Sequence, residues 1–272
     1  MRIEAHQLGT AIDLLVEGFP TQTRAFWEAG IERALASGAH NDGSLPIGHF
    51  LKDKTEAVGV ILTLAGPKPV DQPHFVNLSS VYVKPDHRWK VPLLMRKAVN
   101  DASTVYTSLT AIPVMRDIML AMGFTRLNEG LTAVCVPFAA TFGQREYQVS
   151  AWDGPRGDLD AMTNKMIADH VAYGCLAYVI EAPQGPVPVL FKRYAYKGVP
   201  TAQIIYSADN RAVEAAIGTL SRHLLKAGRM VIFLEIEAGA TPAMMPPGYA
   251  IPNRRLRFIK NGAQPGKTDF TY

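Results

Sequence analysis

The sequence predicts an α/β (α+β) fold built as two tandem units, each a mixed, twisted sheet flanked by helices. Three observations predict it. The chain has 272 residues, which at ~150 residues per domain is close to two compact units. Apolar residues make up 48% and charged residues 19%, a globular composition that excludes a wholly disordered or collagen-like chain. Both halves also repeat one order of elements: helix, three strands, helix, strand. Residue identity between the halves is negligible, so only the pattern recurs.

In the first unit, Leu8 to Glu17 has helical apolar spacing and stops at Gly18-Phe19-Pro20. A second helix starts at Thr21 or Thr23 and runs to about Ser37, with Trp27, Ile31, Ala34 and Leu35 as its apolar stripe. Asn41 to Ser44 reads as a loop. Ile47–Lys52 and Ala57–Leu64 read as a hairpin across Asp53-Lys54-Thr55-Glu56. Gly66 to Pro73 carries three prolines and reads as irregular. A third strand spans Asn77 to Val83. Pro92 then opens a helix that carries Leu93, Leu94, Met95, Ala98 and Val99. Val105–Ile112 is β-prone, Pro113 opens a short helix that Gly123 closes, and strands at Phe124–Leu127 and Thr132–Pro137 complete a unit expected over residues 1–140.

Periodicity fades between Phe138 and Gly157, where the junction is expected. The second unit, residues 158–272, starts with a helix near Leu159–Tyr173. Strands follow at Cys175–Glu181, Val187–Tyr194 and Thr201–Tyr206. Arg211 to Ala227 is a strongly amphipathic helix, capped by Gly228 and followed by a strand at Met230–Ile236. After the proline-rich stretch Thr241–Pro252, Arg254–Lys260 alternates basic and apolar residues as an edge strand would.

Several classes of function are disfavoured. The two cysteines, Cys135 and Cys175, lack Cys-x-x-Cys spacing, and the histidines show no ligand spacing, so no metal site is expected. A formal charge of +4 on a chain this long does not form the polycation that nucleic-acid binding leans on. No stretch approaches the ~20 continuous apolar residues of a membrane span, and the first ten residues lack a signal-like run. The expectation is a cytoplasmic protein with no membrane or nucleic-acid partner.

The most informative segment is Asn77 to Met95, NLSSVYVKPDHRWKVPLLM. A strand, a cationic turn and a helix start together favour bound phosphate, because first-turn N–H groups and the helix dipole face the turn. Arg88 and Lys90 add charge there. The same turn also reads as a solvated connection with two surface cations.

The element order, V-x-P-x-x-R at Val83 to Arg88, and A-M-G-F at Ala121 to Phe124 together resemble the GCN5-related N-acetyltransferase (GNAT) superfamily. The likeness covers residues 1 to about 137 and, more faintly, the second half. It implies an acetyl-CoA or other acyl-CoA co-substrate whose pantetheine arm lies along Asn77–Val83. Val81 and Val83 would then contact the arm, and Arg88, Trp89 and Lys90 its phosphates. It further implies an amine acceptor on a small molecule or protein, with Arg24 and Trp27 in the segment that recognises it. A homodimer is compatible with such a protein. Three departures bear on activity. The two loop glycines of the family pattern fall at Val91 and Leu93, Pro92 between them has no N–H, and the helix tyrosine falls at Met119. The same fold with catalysis lost, serving as a binding or assembly module, is the alternative.

Ser79 and Ser80 interrupt a β-branched strand, either to orient a ligand or to fill tight space. Ser80 and Tyr106 are the candidate catalytic groups, with Tyr82 a further possible proton donor; each tyrosine also fits a half-buried core position. His49 and His74 are possible bases or simply satisfied histidines. Trp27 also reads as core and Arg24 as a surface cation.

Overall fold

A computed structural model describes residues 1–36, 40, 45–65, 73–109, 111–142, 147–237, 248–252 and 255–262. The expected loop at Asn41–Ser44, most of the proline-rich stretch from Gly66, and Arg254 lie outside the described residues. The chain divides into two compact units, Met1–Leu127 with Arg255–Gln264, and Asn128–Arg254 with Pro265–Tyr272. No helix among the described residues is long and apolar enough to cross a membrane.

The first unit opens with α1 (Leu8–Gly18) and α2 (Arg24–Ala36). Their apolar stripes bury Leu14, Leu15, Trp27 and Ile31 against one face of the sheet. The strands are β1 (Gly48–Asp53), β2 (Glu56–Ala65) and β3 (Phe75–Val83), an antiparallel meander. A 3-10 helix (Pro85–Lys90) leads directly into α3 (Val91–Ala98); β4 (Val105–Ser108), α4 (Pro113–Ala121) and β5 (Thr125–Arg126) follow. The second face packs α3 and α4 through Leu94, Met95, Met115 and Met119. β4 ends at Ser108, short of its β-prone sequence, and Ile112, held extended before Pro113, caps the next helix.

The second unit contains β6 (Asn128–Cys135), α5 (Val136–Ala139), β7 (Gln148–Ala151), α6 (Ala161–Ala172), β8 (Leu176–Ala182), β9 (Gly185–Tyr196) and β10 (Val199–Ser207). After them come α7 (Asn210–Ala215), α8 (Ile217–Lys226), β11 (Val231–Glu237) and β12 (Gly248–Pro252). The long amphipathic helix is thus two helices, interrupted at Ala216. Two strands, β7 and β12, fall where proline and glycine had pointed to irregular chain.

Two strands belong to sheets other than those expected. The first sheet runs β1-β2-β3-β4-β13-β5, where β13 is Phe258–Lys260, and the second runs β12-β6-β11-β10-β9-β8-β7. The strand after β5, read as closing the first unit, therefore lies inside the second sheet between β11 and β12. The last strand, read as an edge, lies inside the first sheet between β4 and β5. The physical reason is visible in Phe258 and Ile259. They are adjacent, so they point to opposite faces, and both are buried. That is the pattern of an interior strand covered on both sides.

The pattern repeat has a structural counterpart. In each unit a strand ending a meander meets a parallel neighbour at three positions only. Phe75, Val76 and Asn77 face Val105, Tyr106 and Thr107, while Thr201, Ala202 and Gln203 face Val231, Ile232 and Phe233. In each, the meander strand also carries a bulge just beyond the parallel pairing.

Candidate functional site

The first unit's site is built on the end of β3. Parallel pairing with β4 stops at Asn77 and Thr107, yet β3 continues to Val83, held only by β2. On the β2 side the register steps from Leu62↔Ser79 to Val60↔Tyr82, leaving Ser80 and Val81 opposite Ile61 alone. Ser80 has φ of +51°, a left-handed conformation that costs a non-glycine residue ~1–2 kcal/mol. Bulges and strained residues of this kind cluster at functional sites, where they re-aim main-chain groups. Ser79 through Tyr82 are only half-buried although β3 is an interior strand. A gap open at the carboxyl ends of two parallel strands is where sheets of this class take ligands.

The expected phosphate cradle differs from its sequence reading. The bend after Val83 is a 3-10 helix continuous with α3, so its N–H groups are largely spent inside the chain. Lys84 N donates to Val58 O, His87 N to Lys84 O, and Val91 N to Arg88 O. Pro85 and Pro92 have none to give. Lys90 Nζ is bound to Asp53 Oδ1 at 2.8 Å, lies 5.1 Å from the Trp89 ring centroid, and is mostly buried. It holds the Asp53 carboxyl below its ordinary range. Lys84 is likewise paired with Glu56. Arg88 is exposed and makes no hydrogen bond or ion pair among the described residues. Trp89 is 75% exposed.

The remaining candidates are dispersed. Val83 is buried, and Val81 packs against the α3 face of the core. Ser80 Oγ lies 3.1 Å from Ser79 Oγ. Tyr106 is not brought to the gap. It pairs with Val76, is buried, and its hydroxyl accepts from Asp101 N at the opposite end of the strand. Alternation along β4 turns it into the core, and burial raises its pKa. Trp27 is also buried, packed between Phe19 and Phe26. Arg24 is occupied by Asp13 and Glu28. Met119, at the family's tyrosine position, is core. His49 is buried in β1, and burial with nearby positive charge lowers its pKa to about 4. No group of three or more potential metal ligands occurs among the described residues.

Two features were missed in the sequence. The Tyr82 hydroxyl donates to Glu17 Oε1 at 2.7 Å, and burial with this carboxylate raises its pKa to about 12. Gly18 makes the pairing possible, because a Cβ there would meet the Tyr82 ring at 2.3 Å. The alternation of β3 held the signal for Tyr82, whereas nothing local marked Glu17. The second feature is Arg116 in α4. It is half-buried, its Nε is fully enclosed, and it has no hydrogen-bond partner among the described residues.

The second unit repeats the gap with different electrostatics. At the start of α7, Asp209 caps the helix by accepting from Arg211 N at 2.9 Å, and it also accepts from Gln184 Nε2 at 3.0 Å. The chain's own carboxylate therefore stands where an anion would bind.

Two mixed sheets of this order, each flanked by helices and each parted beside a bulged strand, have the fold of GCN5-related N-acetyltransferases. A GCN5-related N-acetyltransferase from Anabaena variabilis superposes with a TM-score of 0.63 over 95% of this chain and 71% of that one, at 9% identity. One from Kribbella flavida gives 0.60 over 95% and 69%, at 14% identity. No family model matches the sequence, and no curated protein matches it by sequence. The chain is thus a diverged, two-unit form of this fold, and its likeness to these structures lies in the fold.

Proposed function

We propose that the first unit transfers an acyl group from a pantetheine thioester, with acetyl-CoA or another acyl-CoA as donor, to an amine of a small molecule or protein. One observation carries this: β3 runs on past its last parallel pair, bulged at Ser80–Val81 and half-open where β4 has ended. An extended amide-bearing arm can complete the unpaired edge by main-chain hydrogen bonds, as an added strand does. The thioester carbonyl would then lie beside the bulge, where the Val81 N–H can polarise it. The amine nitrogen bonds to the carbonyl carbon and loses a proton, the C–S bond breaks, and the thiolate leaves and takes up a proton. Ser80 would orient the attacking nitrogen or a water.

A second reading, a binding module with this fold, is favoured by Met119, which is buried and has no proton to give the leaving thiolate. Acetyl-CoA titrated against the full chain separates the outcomes. Saturable thermal stabilisation with amine-dependent thiol release supports transfer; stabilisation without release over a panel of amines supports the module. No stabilisation by acetyl-CoA or acetyl-pantetheine refutes the gap as a donor site.

A further inference from the structure

We propose that the first unit reads its donor as a 4′-phosphopantetheine thioester, with the single phosphate next to the pantetheine held by the guanidinium groups of Arg116 and Arg88, and the nucleotide half of CoA left unrecognised. The inference rests on the gap being the donor site, as proposed above.

The two arginines come from the two elements that flank the gap's mouth. β3 and β4 are parallel neighbours, so their carboxyl ends face the same way, with β3 running on to Val83 past its last pair. Arg88 lies in the 3-10 helix that follows β3, and Arg116 in the opening turns of α4 that follows β4. Arg116 is the stronger observation. A half-buried guanidinium whose enclosed Nε donates to nothing is a donor without an acceptor, and such groups in a folded protein call for one. The planar guanidinium fork matches a phosphate in geometry and charge.

The surroundings limit how much phosphate the mouth can hold. Main-chain amides of the bend are given to Val58, Lys84 and Arg88 carbonyls, and two of its residues are proline. Lys84 and Lys90 are neutralised by Glu56 and Asp53. Arg88 and Arg116 are the cations of the 3-10 helix and α4 with no carboxylate partner among the described residues, and the Glu17 carboxylate held by Tyr82 lowers the local positive charge further. The two arginines match a terminal phosphate of about −1.5 to −2, well short of CoA, which carries a diphosphate and a further phosphate monoester. Beyond them the helix starts present Trp89, Leu93, Ile112 and Val114 to solvent, a rim with little to offer a diphosphate.

The test is calorimetric binding of S-acetylpantetheine, S-acetyl-4′-phosphopantetheine and acetyl-CoA to the full chain, its Arg116→Gln variant and its Arg88→Gln variant. The phosphorylated arm should bind at least about ten-fold tighter than the unphosphorylated one, in keeping with charge-assisted bonds to phosphate. Acetyl-CoA should fall within about three-fold of acetyl-phosphopantetheine. Arg116→Gln should erase most of the phosphate's advantage while leaving S-acetylpantetheine affinity unchanged, which also shows that the variant is folded; Arg88→Gln should erase a smaller part. Acetyl-CoA binding more than about three-fold tighter than acetyl-phosphopantetheine would overturn the proposal, because the nucleotide would then be recognised. An undiminished phosphate advantage in Arg116→Gln would overturn it too. Failure of all three thioesters to bind the unmodified chain would instead remove the donor gap itself, and this inference with it.

Discussion

Gly18→Ala tests how closely α1 must approach the bulged strand. A Cβ at residue 18 would lie 2.3 Å from Tyr82 Cδ2, 2.4 Å from Cγ and 2.8 Å from Cβ. The last two belong to the stem of the side chain, so rotating the ring cannot relieve the overlap. Either α1 shifts or β3 does. Overpacking of this kind costs ~1–3 kcal/mol, and losing the Tyr82–Glu17 hydrogen bond adds ~0.5–1.5 kcal/mol. Alanine's better helix propensity returns up to ~1 kcal/mol. The expected net loss is ~2 kcal/mol, a fall of ~4–8 °C in unfolding temperature for a domain of this size. Thermal and urea unfolding should be measured for Gly18→Ala, Tyr82→Ala and the double variant. With the ring removed, alanine at 18 should be neutral or stabilising by ~0.5–1 kcal/mol, which gives a coupling of ~2–3 kcal/mol. Equal cost in both backgrounds would show that Tyr82 is not what confines residue 18.

Three further perturbations have signed outcomes. His49 should make stability depend on pH, since its folded pKa of about 4 lies below its unfolded value of 6.5. Between these values the unfolded chain binds more protons, so stability is complete above pH ~6.5 and falls towards pH 4 by ~2 kcal/mol after allowance for solvent screening; in His49→Gln, urea midpoints over this range should flatten. Ser80→Gly should raise the unfolding free energy measured in urea by ~0.5–1 kcal/mol because it relieves the positive φ, and Ser80→Val should lower it by more than ~1 kcal/mol; the reverse order would mean that the bulge is not strained. A fragment of residues 1–140 should lack a cooperative thermal transition. It is without Leu256, Phe258 and Ile259, all buried in the first unit and together worth ~5–9 kcal/mol, as much as many domains have in total.

What the sequence showed and what it concealed divide along local and distant pairing. Hairpins, helix starts at Pro92 and Pro113, and the stop at Gly18-Phe19-Pro20 are set by neighbours in the chain, and they stand nearly where expected. Alternation tells which face a residue takes but not which strand lies beside it. The apolar run around Leu131 therefore gave no hint that it pairs with Val231–Glu237 and Gly248–Pro252. The same limit hid the site. Ser79 and Ser80 stood out in a β-branched run, but only the register shows that pairing with β4 ends before them. Arg88 was legible as a cation in a turn. Arg116 was not, because its helix was read by its apolar stripe, and a missing partner is a property of three-dimensional packing alone.

The two gaps separate backbone from chemistry. Both units stop parallel pairing after three residues and bulge the strand beyond, so the main chain alone would offer the same opening twice. In the first unit Arg88 and Arg116 lie in the helices that follow the two strands beside the opening, and neither has a hydrogen-bond or ion-pair partner among the described residues. At the second, Asp209 takes the N–H of Arg211 and the amide of Gln184. A carboxylate fixed at that helix start repels a phosphate and competes for the donors it would need. The second gap therefore repeats the main-chain opening beside a fixed carboxylate, and for that reason the donor site proposed above is assigned to the first unit.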